Sequence, residues 1–232
     1  MDAPTVVDPG QIPNLPLIII GGAGHAKVLV STLLLQHRSV LGFVDLNSAL
    51  PTLLGIPHLG DDEAVFLYPP DKVGLVHGVG SIGSTALRQT IYERFRKKQY
   101  NFETVIHPSA IIAPEVCIED GVQIMAGVVV QPGSHFATNA IINTGARIDH
   151  DCVIGPHVHV APGVTLSGHV RIERGAHIGT GATIIQGIKV GACATVAAGA
   201  VVVNDVPAGM TVVGVPAVPS AKRSAPLPRR TK

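Results

Sequence analysis

The architecture this sequence predicts is a small α/β domain with a Rossmann-like parallel sheet, followed by a parallel β-helix of hexapeptide repeats. Two observations lead there. Residues 17–104 alternate short apolar runs with helix-length segments, the pattern of strands joined by helical crossovers. Residues 105–216 carry a six-residue period instead. Ile106, Ile112, Ile118, Ile124, Val130 and Phe136 begin a series that reaches Val202 in sixteen steps of six, with no polar residue among its members. Each hexad of such a repeat is one short strand plus a turn, and three hexads close a triangular coil. Composition agrees: there are 26 Gly, and aromatic residues make up 3% of the chain, so the interior must be stacked from small aliphatics.

In chain order, residues 1–16 are polar and Pro-rich, lack the apolar run of a signal peptide, and are expected to be disordered. "LIII" (17–20) reads as a strand ending in "GGAGHAK", with an apolar helix from His25 to Leu35. "SVLGFVD" (39–45) and "KVGLVHGVG" (72–80) read as the second and third strands, and "STALRQTIYERFRKK" (84–98) as an amphipathic helix. In the repeat, the second residue of each hexad points inward and stacks on its equivalent eighteen residues away, while small residues at positions four to six turn the corner. Seventeen uninterrupted hexads give between five and six coils, so any site must lie on the outer faces or between subunits. Residues 217–232, with Lys222, Arg223, Arg229, Arg230 and Lys232 among prolines, read as a basic flexible tail.

Charge and cysteine usage exclude several classes. Lys plus Arg is 17 against 16 Asp plus Glu, and the missing basic stripe argues against nucleic acid. No apolar segment reaches the length of a membrane span. Cys117, Cys152 and Cys193 are odd in number and far apart, so they read as reduced, buried small hydrophobes of a cytoplasmic protein.

Hexapeptide repeats of this kind resemble those of the left-handed β-helix acyltransferases. The handedness comes from that resemblance and runs against the usual right-handed crossover. Six His fall in the repeat after its first hexad: His135, His150, His157, His159, His169 and His177. Each also reads as a tolerated surface or corner residue. Asp149-His150-Asp151 reads as an acid–base device, because acyl transfer from a thioester to an amine needs a base and imidazole titrates near neutrality. A carboxylate on the other ring nitrogen would fix the tautomer. Adjacent strand residues face opposite ways, so one Asp serves, and Asp151 is favoured. A rival reading gives His150, His157 and His159 to zinc, in the manner of γ-class carbonic anhydrases.

The "GGAGHAK" loop follows a strand and opens a helix, and Asp45 stands 21 residues after Gly24. This matches part of a dinucleotide fingerprint, with Lys27 where the third glycine would be. The same loop also reads as a tight strand-to-helix turn.

From Leu17 to Pro216 the chain resembles the sugar O/N-acetyltransferase family, which includes the sialic-acid O-acetyltransferase. The likeness is greatest to the nucleotide-sugar 4-amino N-acetyltransferases of bacillosamine and perosamine synthesis. It is carried by "IIIGGAGHAK", "FVD" (43–45), "IHPSA" (106–110), "NTGARIDHDC" (143–152) and "VGVPA" (213–217). The resemblance implies acetyl-CoA-dependent N-acetylation of a nucleotide-linked amino sugar in surface glycan biosynthesis, with no metal. It implies His150 as general base, supported by Asp151, with Asn143 lining the same site. It gives Ala23, Gly24, His25, Asp45 and Gly80 to the nucleotide sugar, and His159 to the thioester end of acetyl-CoA. Thr180 and Ala198, one coil apart, fall to the pantetheine arm. Apart from the resemblance, the tail has a second reading besides a solvated end: Lys222 and Arg223 follow "VGVPA" closely, which suits them to the CoA phosphates. A homotrimer is implied by the resemblance, with acetyl-CoA in the groove between β-helices; covering exposed walls such as those carrying Val130, Val160 and Ile178 gives a physical reason for it. O-acetylation of sialic acid or a related sugar, a γ-type zinc protein and a non-catalytic assembly protein are the alternatives.

Overall fold

A computed structural model describes residues 15–49 and 51–220. The N-terminal segment before residue 15 and the five cations of the tail lie outside the described residues. The first unit is built from β1 (Leu17–Ile20), α1 (Gly24–Leu35), β2 (Val40–Val44), β3 (Thr52–Leu53), β4 (Ile56–Gly60), β5 (Gly74–His77) and α2 (Ala86–Lys97). Its sheet runs in the order β3-β4-β2-β1-β5, parallel except for the β3–β4 pair. Alternation along β1 decides which helix goes where. Leu17 and Ile19 pack with Leu29, Val30 and Leu33 of α1 on one side, and Ile18 and Ile20 with Tyr92 and Phe95 of α2 on the other.

The β3–β4 hairpin and a short 3₁₀ turn at Asp62–Leu67 are absent from the sequence reading, which has three strands. The hairpin turns on Leu54 (φ 50°) and Gly55 (φ 83°), both left-handed as a two-residue turn of this kind demands. Leu is a poor signal for that conformation.

The second unit is a left-handed parallel β-helix. Seventeen two-residue strands run from Val105–Ile106 to Val201–Val202, one per hexad, in three sheets. The first face holds Gln123, Ile141, His159 and His177 at its outward positions, the second Val129, Arg147, Thr165 and Thr183, and the third His135, Val153, Arg171 and Lys189. Every pairing among these seventeen strands has an eighteen-residue register, as with Ile124↔Ile142↔Val160↔Ile178. The second residue of each hexad forms the core together with small residues at position six, among them Ala146, Cys152, Ala176 and Ala182. A short antiparallel pair, Thr211–Val213 with Val218–Pro219, closes the end of the first face.

Position five sets the turn. From Gly121 to Gly199 every sixth residue has positive φ: nine are Gly, and Asn139, Asp151, His157, His169 and Cys193 take the same conformation. This is the left-handed region, which only Gly enters freely.

The structure corrects three sequence readings. Val130, Val160 and Ile178 point inward and are buried, because they are second-position residues, so they need no covering by a partner. His157, His159 and His177 are buried rather than at the surface, the last two because the N-terminal unit packs over the first face. Cys193 is exposed, because it occupies a turn position instead of the core.

The turn makes a direct prediction. A Cβ at Gly181 would meet nothing within 4 Å, yet its φ is +67°. Gly181→Val should cost ~1–2 kcal/mol through backbone strain alone, or about 2–4 °C of melting temperature per kcal/mol. Thermal denaturation unchanged from wild type would show that the turn does not require the left-handed region.

Candidate functional site

The chemistry-bearing residues fall into two groups. The first sits at the corner between the second and third faces. His150 Nδ1–H donates to Asp151 Oδ2 at 2.8 Å, while Asp149 Oδ1 accepts the backbone N–H of His150 at 2.8 Å. Asp149 therefore holds the turn and Asp151 holds the ring. The left-handed φ of Asp151, 57°, turns its side chain back beside its neighbour, which strand alternation alone would not do. The Asp151 hydrogen bond raises the pKa of His150 above its ordinary 6.5, and the charges of Asp149 and Asp151 add to this. Two glycines one coil away make room. A Cβ on Gly168 would lie 2.5 Å from the His150 ring, and one on Gly133 2.4 Å from Asp151 Oδ1. His169 stands edge-on to His150, ring centroids 5.0 Å apart, with its Nε2 3.7 Å from Asp151 Oδ2. The sequence reading gave Gly168 and His169 no place beside this pair, although adding one coil to His150 points to the first and adding one coil to Asp151 points to the second.

His135 makes a similar contact with Glu119 at 2.9 Å. There the carboxylate also accepts the N–H and hydroxyl of Thr138, which makes it a brace between coils.

The second group joins the first face to the N-terminal unit. Asn143 Oδ1 accepts the N–H of Thr144 at 2.8 Å, so its amide nitrogen is the end that faces His159 Nε2 at 3.2 Å. His159 then accepts at Nε2 and carries its proton on Nδ1, which donates to Ser81 Oγ at 2.7 Å. The Ser81 hydroxyl proton is left to point onward. Burial first, and then neighbouring His177, lower the His159 pKa to about 2, so this imidazole is neutral. His25 Nε2 donates to Gln123 Oε1 at 2.7 Å, and Gln123 in turn donates to the His77 carbonyl at 2.9 Å. Burial and then the charge of Arg88 lower the His25 pKa to about 4. Gly80 packs on His25, where a Cβ would come within 3.2 Å.

The loop of Ala23 and Gly24 is exposed at the start of α1. Asp45 accepts the N–H groups of Gly22 at 2.6 Å and Asn47 at 2.8 Å, so its carboxylate pins the loop from below. Arg88, buried in α2, donates to the carbonyls of His77 and Val79 and fixes the segment that carries Gly80 and Ser81. Nothing in the helical pattern marked it as different from its exposed Arg neighbours. Thr180 and Ala198 are exposed on the corner between the first and second faces, and Gly199 N–H donates to the Thr180 carbonyl at 2.9 Å.

Within one chain the two groups lie on opposite sides of the second face. Asn143 meets His159 and not His150. The trio considered for zinc is not assembled either: His150 is held by Asp151, His157 by Asn139 at 2.9 Å, and His159 by Ser81. A depression of about 560 Å³ on the third face, lined by Arg171, Arg174 and Lys189 among others, contains none of the residues named for either group. Among the described residues no helix is long and apolar enough to cross a membrane.

Known proteins share the fold and much of the sequence. Residues 16–95 match the family model described as the PglD N-terminal domain. PerB from Caulobacter crescentus, solved with CoA and GDP-perosamine, is 39% identical, with 89% of this chain and 97% of that one covered at a TM-score of 0.82. The acetyltransferase domain of PglB from Neisseria gonorrhoeae, solved with acetyl coenzyme A, is 35% identical over 90% and 100% of the two chains at a TM-score of 0.84. WeeI from Acinetobacter baumannii is 28% identical over 89% and 100% at 0.81. A search of curated proteins finds no match. Fold, length and sequence identity together place the chain in the hexapeptide-repeat family of sugar N-acetyltransferases.

Proposed function

We propose that this protein transfers the acetyl group of acetyl-CoA to the amino group of a nucleotide-linked amino sugar. The observation that carries the reading is the exposed His150–Asp151 pair, an imidazole whose outer nitrogen is free to accept a proton while the inner one is held by a carboxylate. The sugar amine attacks the thioester carbonyl, forming the N–C bond. His150 Nε2 takes the proton the amine sheds, and Asp151 stabilises the imidazolium. The C–S bond then breaks, and the proton passes to the departing CoA sulfur. Solved relatives that hold CoA or acetyl-CoA, one of them together with GDP-perosamine, support the choice of substrates.

Ala23, Gly24, His25 and Gly80 form the nucleotide-sugar half, with the free N–H groups at the start of α1 suited to phosphate oxygens and Asp45 keeping the loop in shape. Asn143, His159 and Ser81 present a neutral polar wall to the thioester end. Thr180 and Ala198, one above the other along the corner, suit the pantetheine arm. The two halves lie on opposite sides of one chain, so the working site joins the nucleotide-sugar half of one chain to the acid–base corner of the next. A closed homotrimer supplies three such junctions.

His150→Ala should lower kcat by about 10²- to 10⁴-fold with little change in substrate affinity. An unchanged kcat on an amino-sugar nucleotide would remove His150 from the mechanism. The pH profile tests Asp151 separately. His150 must be neutral to act, and its raised pKa places the acid limb of kcat above pH 6.5. Asp151→Asn removes the cause of that elevation, so the limb should move to lower pH even as the plateau falls. A limb that stays in place would mean that another group titrates.

A further inference from the structure

His169 has no part in the reaction above, yet it faces the one carboxylate that does. His150, Asp151 and His169 each offer a ligand atom, and these atoms lie within 4.8 Å of one another. Asp151 Oδ2 stands 2.8 Å from His150 Nδ1 and 3.7 Å from His169 Nε2. A tetrahedral zinc with bonds of about 2.0–2.2 Å holds its ligand atoms about 3.3–3.6 Å apart, a spacing between the two distances observed. The side chains are 45%, 50% and 58% exposed, so small rotations are open to them. The backbones are already locked together. Asp151 and His169 occupy equivalent left-handed turns, and His169 N–H donates to the His150 carbonyl at 2.9 Å. Two imidazoles and a carboxylate are the donor set that borderline transition metals prefer, and one that Mg²⁺ does not.

We propose that His150, Asp151 and His169 form a divalent transition-metal site at which Zn²⁺ inhibits the enzyme. This is distinct from a resident cofactor and uses none of the buried imidazoles on the first face. The chemistry at the ring gives the consequence. A metal on Nδ1 displaces the proton held there, and the neutral imidazole then carries its proton on Nε2. That nitrogen becomes a donor only and cannot take a proton from the amine. The metal also claims Asp151, so both parts of the acid–base pair are lost together. The Asp149 carboxylate is tied to the His150 N–H, which leaves the fourth metal position to water. The inhibitory effect rests on His150 as the base; the binding does not.

Equilibrium dialysis against Zn²⁺ separates the two. The full-length protein should be dialysed as Cys193→Ser, so that the exposed thiol does not compete, with and without His169→Ala. The expected result is one zinc per chain, lost with His169→Ala, and no comparable uptake of Mg²⁺. Turnover should fall on adding zinc, recover with a chelator, and become insensitive to zinc in His169→Ala, whose metal-free activity should match wild type. Equal zinc uptake with and without His169, or none in either, would overturn the site. Zinc bound through His169 with turnover unaffected would uphold the site and contradict the role of His150 as base.

Discussion

An eighteen-residue register of backbone hydrogen bonds positions the chemical groups of the β-helix unit. Each coil's strands pair with those above and below, and from Asn139 to Gly199 each fifth-position N–H reaches the preceding coil, as with Asp151 to Pro132 and His169 to His150. The register makes a residue's neighbours predictable by addition. Gly168, eighteen residues after His150, is the space the ring occupies, and Gly133, eighteen before Asp151, is the space for its carboxylate. A slip of one residue would exchange interior for exterior along a whole face. The apolar second positions resist that slip, because their burial continues without interruption from Ile124 to Val202.

The same turn sets stability against chemistry. Nine of fourteen fifth positions are Gly, the residue that takes the left-handed conformation without strain. Asp151 and His169 take it at an expected cost of ~1–2 kcal/mol each for an L-residue, somewhat less for these side chains, which tolerate it better than most. In return the left-handed turn directs the Asp151 carboxylate at the ring of the residue before it. A right-handed or extended backbone at that point would separate the two.

Much of this was legible in the sequence. The β-helix could be read because its signal is repeated seventeen times, and one strong turn or substitution cannot hide it. The pairing of His150 with an adjacent carboxylate was visible as DHD and Asp151 was favoured there, although the left-handed turn that directs its carboxylate at the ring was not visible. The β3–β4 hairpin was not readable, since Leu54 in a left-handed turn carries no compositional mark. Ser81 and Arg88 were equally silent. Their importance lies in contacts made away from their own element, Ser81 to His159 of the β-helix across 78 residues and Arg88 to the carbonyls beneath the loop. Such contacts have no local period. The burial of His159 and His177 was missed for the same reason: outward positions look free until another domain covers them.

The central claim is that neither half of the site works within its own chain, and subunit complementation tests it most directly. Gly24→Trp fills the exposed loop, where a Cβ would meet nothing within 4 Å, and so blocks the nucleotide-sugar half without disturbing the fold. His150→Ala disables the other half. Each variant alone should keep no more than about a hundredth of wild-type turnover. Co-expressed in equal amounts, they should assemble mixed trimers in which about one junction in four pairs two intact halves, and turnover should return to about a quarter of wild type. Activity no greater than that of the separate variants, in trimers shown to be mixed, would mean that both halves belong to one chain.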